Sequence, residues 1–168
     1  MSTSKNEIIQ FMSDLNKEVK TLQNKLNPKG EYAKVGIPEN SGNAKKRKGK
    51  SVVDSGTPLV LVGAVHEFGI GVPMRSFLRV PLKDNQSKIA KIATLGAKKV
   101  ADGSGKIKGV LKAMGEVGVS ISKESFSVND WQPLKDPTRG GKNKDGDAIP
   151  LVDTGTLKRS ITYQIDKD

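Results

Sequence analysis

Residues 31–38 read EYAKVGIP, and the chain closes on an alternating stretch, ITYQI, at 161–165. The first stretch alternates apolar and polar side chains through Tyr32, Ala33, Lys34 and Val35 and ends at Pro38. The second presents Ile161, Tyr163 and Ile165 at every other position. A period of two marks a strand with one buried face, so the globular part is expected to begin and end on a strand. Between them the period is helical. Residues 86–101 set Ile89, Ile92, Ala93 and Val100 on one side, with Lys88, Lys91, Lys98 and Lys99 along the flanks, and Asp102-Gly103 stops the pattern. Residues 105–125 keep the helical period through Ile107, Val110, Leu111, Met114, Val117 and Ile121. Gly105, Gly109, Gly115 and Gly118 weaken that second helix by up to about 1 kcal/mol each relative to Ala, while permitting close approach of a neighbour. A first and a last strand separated by helices predict an α+β domain with a small antiparallel or mixed sheet and flanking helices.

Outward from this frame, residues 4–27 read as a long N-terminal helix. Ile8, Phe11, Met12, Leu15, Val19, Leu22 and Leu26 recur at steps of three and four, Ser4 and Glu7 resemble a capping box, and Pro28 and Gly30 end the run. Residues 1–30 are therefore expected to form an amphipathic arm, and residues 31–168 a single domain. Residues 39–56 are rich in Asn, Ser, Gly and Lys with nothing to bury, and are expected to form a basic loop. In TPLVLVGAVHEFG (57–69), Thr57 as cap and Pro58 at the first helical position favour a helix, against a valine content that favours a strand. Residues 128–150, which hold the only Trp, are expected to form a second loop. LVDTGTLKRS (151–160) then leads into the last strand as a short turn or helix.

Composition narrows the function classes. The chain has 168 residues, no Cys, one His, one Trp, 35% hydrophobic residues and a formal net charge of +11. Compact globules run to about 45–50% apolar on a slightly broader count, so the core is expected to be thin. No apolar run approaches the roughly 20 residues of a membrane span, and the charged, amphipathic start does not read as a signal peptide. Without Cys there is no disulfide, thiolate nucleophile or cysteine zinc site. The positive excess lies in residues 1–50, with eleven basic against five acidic groups, and in 83–120, with eight against three, whereas 121–168 carries eight of each. Such charge favours polyanionic partners.

Few residues suggest chemistry. His66-Glu67 lacks the second His of a zinc helix, and no elbow motif supports a nucleophilic triad. Asp145, Asp147, Asp153 and Glu67 do not fit a paired-carboxylate spacing. Glu67 is better placed to pair with Arg75 and fix the turn between Gly69 and Pro73. GKIKG and RGGKNKDG lack the P-loop arrangement. Neither an enzyme nor a bound cofactor or metal is expected. The best polyanion contact is KKRKGK, with Lys45, Lys46, Arg47, Lys48 and Lys50 as five cations in six residues. No aromatic residues interleave with them, so a base-stacking platform is not expected. Trp131, in DWQPL, reads as a packing anchor in the core or at a subunit interface.

The order of motifs carries more. VGIP (35–38) is followed by AVHEFG (64–69), then PMRSFLRVPL (73–82), two amphipathic helices, WQPLKDPT (131–138) and PLVDTGTLKRSITYQI (150–165). This order resembles the virion-morphogenesis family of tailed bacteriophages, the neck, tail-completion and head–tail joining proteins, over about residues 32–165. The matching positions are His66, Glu67, Phe68 and Gly69; Arg75, Phe77 and Leu78; Trp131, Pro133 and Leu134; and Asp153, Thr154, Gly155, Leu157 and Ser160. Met74 and Ser76 depart from the family pattern, and the KKRKGK insertion is particular to this chain. The resemblance implies a non-enzymatic virion component, assembled in the host cytoplasm. It would form a homo-oligomeric ring between the portal or connector and a tail-terminator or tail-tube protein, with DNA passing through its centre. Asp153 or Thr154 would cap the short helix that carries Leu157 and Ser160. The competing expectation is a small basic DNA-binding accessory protein, acting in packaging or as a nucleoid-like factor.

Overall fold

A computed structural model describes residues 5–48, 51–128, 131, 141–142, 148–149, 151 and 154–167. The expected strand pair is present. Strand β1 (Glu31–Gly36) runs antiparallel to the terminal strand β6 (Thr162–Lys167) in an unbroken register from Glu31↔Lys167 to Gly36↔Thr162. Lys34 reaches across the pair to Asp166 at 2.8 Å and stands over the Tyr32 ring; the bond to Asp166 raises its pKa.

Helix α5 (Ile107–Val128) lies across this ladder, and its glycines explain the close approach. A Cβ on Gly115 would stand 2.5 Å from Tyr163, and one on Gly118 would stand 2.8 Å from Val35. Helix α4 (Gln86–Ala101) packs along α5, where Gly96 admits the side chain of Val110. The turn between the two helices is closed by Asp102, which accepts the Ser104 N–H at 2.9 Å, with Gly103 at φ +79°. The fold is thus α+β, as expected.

The core is small. Leu59, Phe77, Phe126, Leu157 and Ile161 form a buried cluster, with Val35, Ile37, Ala44, Leu78, Val119, Trp131 and Leu151 packed against it. Burying side chains of this size contributes roughly 1.5–3 kcal/mol each. The Phe126 ring lies 5.2 Å from that of Phe77 and meets Trp131 edge-on at 5.5 Å. Trp131 is therefore anchored to this chain's own core. Helix α1 (Lys5–Leu26) meets the body at α4 and leaves Ile9, Met12 and Leu15 exposed. Its exit is clamped by Asn27, whose amide donates to the Glu31 carbonyl at 2.7 Å and whose oxygen accepts the Glu31 N–H at 3.0 Å.

Three expectations need correction. The basic stretch 39–56 is not a loop but mostly a hairpin of β2 (Asn43–Lys48) and β3 (Ser51–Pro58), with Lys45↔Asp54, Lys46↔Val53 and Lys48↔Ser51 in register. Backbone pairing, a half-buried side of β3 (Val53, Ser55 and Thr57) and polar contacts hold it: Ser55 donates to the Ala44 carbonyl at 2.7 Å, and Asn43 to Asp54 at 3.3 Å. Thr57 and Pro58 belong to β3, so helix α2 covers Leu59–Phe68 with Pro58 as its extended cap residue. Within the expected loop 128–150, β4 (Gly141–Lys142) pairs with β5 (Ala148–Ile149). A short helix α3 (Arg79–Asp84) follows the PMRSFL segment, and α6 (Thr156–Ser160) precedes β6.

Candidate functional site

The motif residues at 66–79 build one bracket. Helix α2 ends at Gly69, which takes the left-handed conformation (φ +71°) that ends helices. A Cβ there would stand 3.0 Å from Met74, so both conformation and space require glycine. The chain then turns back, and the Arg75 N–H donates to the His66 carbonyl at 2.8 Å.

Glu67 closes the bracket. Its carboxylate is buried and accepts four hydrogen bonds: Ser76 Oγ at 2.5 Å, and the N–H groups of Phe77 at 2.9 Å, Leu78 at 3.0 Å and Arg79 at 2.9 Å. These amides include the unpaired N–H groups at the start of α3, a place where an anion is stabilised. Arg79 Nε stands 4.0 Å from the same carboxylate. Ser76 also accepts the Val80 N–H at 3.0 Å, so one hydroxyl joins the carboxylate to the first turn of α3. Where pairing with Arg75 was expected to fix the Gly69–Pro73 turn, Glu67 is held by Ser76 and three backbone amides, with Arg79 as the nearby cation.

Phe77, fully buried, is driven into the core from this bracket, and Ser122 on α5 donates to its carbonyl at 2.7 Å. Leu78 packs at the core edge. His66 is half-buried, and its Nδ1 has no hydrogen-bond partner among the described residues. Burial, and then the charge of Arg75, lower its pKa, so the imidazole is neutral near pH 7. Burial also lowers the pKa of Arg75.

At the C-terminal motif, Gly155 is the cap residue of α6 at φ +68°, and the Thr154 hydroxyl just before it accepts the first helical N–H, that of Thr156, at 3.4 Å. The same hydroxyl pairs with that of Thr156 at 2.7 Å, and the Thr154 carbonyl accepts from Arg159 at 2.8 Å. Leu157 enters the core, while Ser160 bonds back to the Leu157 carbonyl at 2.8 Å. Lys50, Pro133, Leu134, Asp145, Asp147, Asp153 and the Arg47 side chain lie outside what the structure describes.

What sequence reasoning missed is the outer side of the bracket. Leu61, Phe68, Ile70 and Met74 are 54%, 61%, 62% and 54% exposed. The Arg79 guanidinium lies over the Phe68 ring at 5.7 Å, and its Nη2 stands 3.8 Å from the Met74 sulfur, which ties these residues into one surface. The signal was the nearly uniform apolarity of LVLVGAVHEF: α2 is too apolar for a helix with only one buried face. Lys45, Lys46 and Lys48 are exposed on the hairpin, and Lys88, Lys91, Lys98 and Lys99 on α4. Among the described residues, no three His, Cys, Asp or Glu side chains converge as a metal site, and no helix is long and apolar enough to cross a membrane. No family model, curated protein or solved structure matches this chain.

Proposed function

We propose that this chain is a structural virion protein of a tailed bacteriophage. In this reading it forms a ring at the neck or proximal tail end that joins the portal or connector to the tail, with DNA passing through the centre. The observation that carries the reading is the exposed apolar face of the motif bracket. In a protein with so small a core, leaving Leu61, Phe68, Ile70 and Met74 more than half exposed is unfavourable unless a neighbour covers them. The motif residues Glu67, Gly69 and Phe77 shape that bracket, so what they hold in place is a surface. The partners under this reading are further copies of the chain, a portal or connector ring and a tail-terminator or tail-tube protein. Assembly would take place in the host cytoplasm. Reconstruction of purified particles tests it: density for this chain as a ring between portal and tail supports the reading, and its absence from the particle overturns it.

The exposed lysines of the β2–β3 hairpin favour a second reading, a basic DNA-binding accessory protein. It predicts affinity for duplex DNA that falls steeply with salt and is lost when Lys45, Lys46 and Lys48 are changed to Gln.

A further inference from the structure

Several segments of this chain meet at one end of the fold, and each brings lysines there. Helix α5 runs alongside β1 in the same direction: Lys108 Nζ stands 3.9 Å from the Glu31 carboxylate, and Gly118 lies against Val35. The start of α5 therefore shares an end with the start of β1. Strand β6 is antiparallel to β1, so its last residues arrive there too, with Lys167 opposite Glu31. Helix α4 ends on the tight turn into α5: the Gly105 N–H donates to the Lys99 carbonyl at 2.7 Å, and a Cβ on Gly105 would stand 2.9 Å from that of Lys99. The exit of α1 completes the set, because Lys29, Lys106 and Lys108 line one recess together with Glu31.

The charge at this end is one-sided. Lys29, Lys98, Lys99, Lys106, Lys108 and Lys167 are all exposed. The carboxylates among them are engaged: Glu31 is buried beside Lys108, Asp102 accepts the N–H and the hydroxyl of Ser104, and Asp166 pairs with Lys34 at 2.8 Å. Among the described residues, none of the exposed large apolar side chains falls within 27–36, 98–112 or 162–167. Such a surface suits phosphates better than a protein. The cores of protein interfaces are depleted of Lys and centred on buried apolar anchors, whereas protein–DNA interfaces are polar and strongly positive. Lys meets phosphate as a point charge and reads no sequence. A duplex offers one phosphate charge per about 1.7 Å of its axis, so cations carried on separate segments find partners without a fixed register.

We propose that this lysine end, built by the exit of α1, the α4–α5 turn and the last residues of β6, is a sequence-independent contact for the phosphate backbone of duplex DNA. The inference rests on DNA as a partner, which both functional readings include, and puts the contact on segments other than the β2–β3 hairpin, which packs against α2 and α6. In the ring reading this end faces the central channel.

Anisotropy titrations of a labelled duplex of mixed sequence, repeated over a range of salt, test the contact. The unmodified chain should bind with an affinity that falls steeply as salt rises. Lys98→Gln/Lys99→Gln/Lys106→Gln changes exposed side chains, so circular dichroism should match the unmodified chain. Its slope of log affinity against log salt should be shallower by about 2–3, and its affinity at roughly 0.1 M salt at least about tenfold weaker. Arg at the same three positions keeps the charge and should bind as the unmodified chain does. Lys45→Gln/Lys46→Gln/Lys48→Gln should keep most of the affinity. Binding that is lost in the hairpin variant and kept in the end variant would move the contact to the hairpin. Displacement of the duplex by polyglutamate at equal charge would give the surface to an acidic protein. Either result, or no binding, or a flat salt response, overturns the inference. If particles contain a ring of this chain with the lysine end turned away from the DNA, the inference fails and the ring reading stands. If the end variant loses binding while particles hold no ring, the ring reading fails and the contact stands.

Discussion

Glu67 accepts the backbone N–H of Phe77 at 2.9 Å, across ten residues of sequence. This bond couples the end of α2 to the residue that fills the core. It explains how an acidic side chain comes to be buried with its full charge compensated by donors: Ser76 and two further amides complete the set. A buried carboxylate is tolerated only under such conditions. The bracket therefore fixes both the inner side of the segment, where Phe77 is seated, and the outer side, where Phe68 and Met74 meet Arg79.

Glu67→Gln tests this arrangement. The new amide turns one acceptor into a donor facing N–H groups that are themselves donors. A loss of about 2–3 kcal/mol is expected, which lowers the melting temperature by roughly 4–12 °C for a chain of this size. Calorimetry checks it, and a variant that melts with the unmodified protein would show that the carboxylate does not hold the segment.

The glycines of α5 predict opposite outcomes for one kind of substitution. A methyl added at Gly109 would meet nothing within 4 Å, so Gly109→Ala should stabilise by about 0.5–1 kcal/mol through helix propensity and a less flexible unfolded chain. Gly115→Ala would place its methyl 2.5 Å from the Tyr163 ring, at a position held by the β1–β6 ladder. The overlap should cost about 1–3 kcal/mol, outweighing the propensity gain. Chemical denaturation of both variants reads the sign directly, and stabilisation by Gly115→Ala would mean that α5 does not lie against β6 as described.

Ser122→Ala isolates the support beneath the bracket. Removing the hydroxyl leaves the Phe77 carbonyl without its 2.7 Å donor in a buried site. The expected cost is about 1–3 kcal/mol, read as a shift of the denaturation midpoint. Ser120→Ala, on the exposed side of the same helix, serves as the control and should change little. Equal midpoints for the two variants would show that the Ser122 bond does not support Phe77.

These cases show what was legible in the sequence and what was not. β1 and β6 were readable because one face of each packs inward, which imposes alternation on Tyr32–Val35 and on Tyr163–Ile165. The glycines of α5 were readable as marks of close approach, and Gly115 and Gly118 make one, although Gly109 does not. The β2–β3 hairpin was not readable, because NAKKRK carries no alternation: Lys45 and Lys46 are both exposed, and the partner strand supplies the order. The structural role of Glu67 was legible from its place before the turn. Its donors were not, because they are mostly backbone amides, which no residue type announces. The exposed face of α2 was hidden for a related reason. Uniform apolarity reads as burial, and only the packed chain shows which side stays open.

The pH dependence of stability isolates His66, the one histidine of the chain. Burial, followed by the charge of Arg75, lowers its pKa in the folded state below the ordinary 6.5. The unfolded chain therefore binds more protons than the folded one in the window from that folded pKa up to 6.5, and stability must rise with pH across it. The contribution is complete above 6.5 and is lost as pH falls through the folded pKa. Because His66 is only half-buried, solvent screens part of the effect. Carboxylates titrate lower, near about 4, so their influence separates from this window. The melting temperature of the unmodified protein should fall on acidification from neutral pH to below 6.5, and His66→Gln should flatten that slope. A melting temperature that rises on acidification, or a slope that persists in His66→Gln, would place the proton elsewhere.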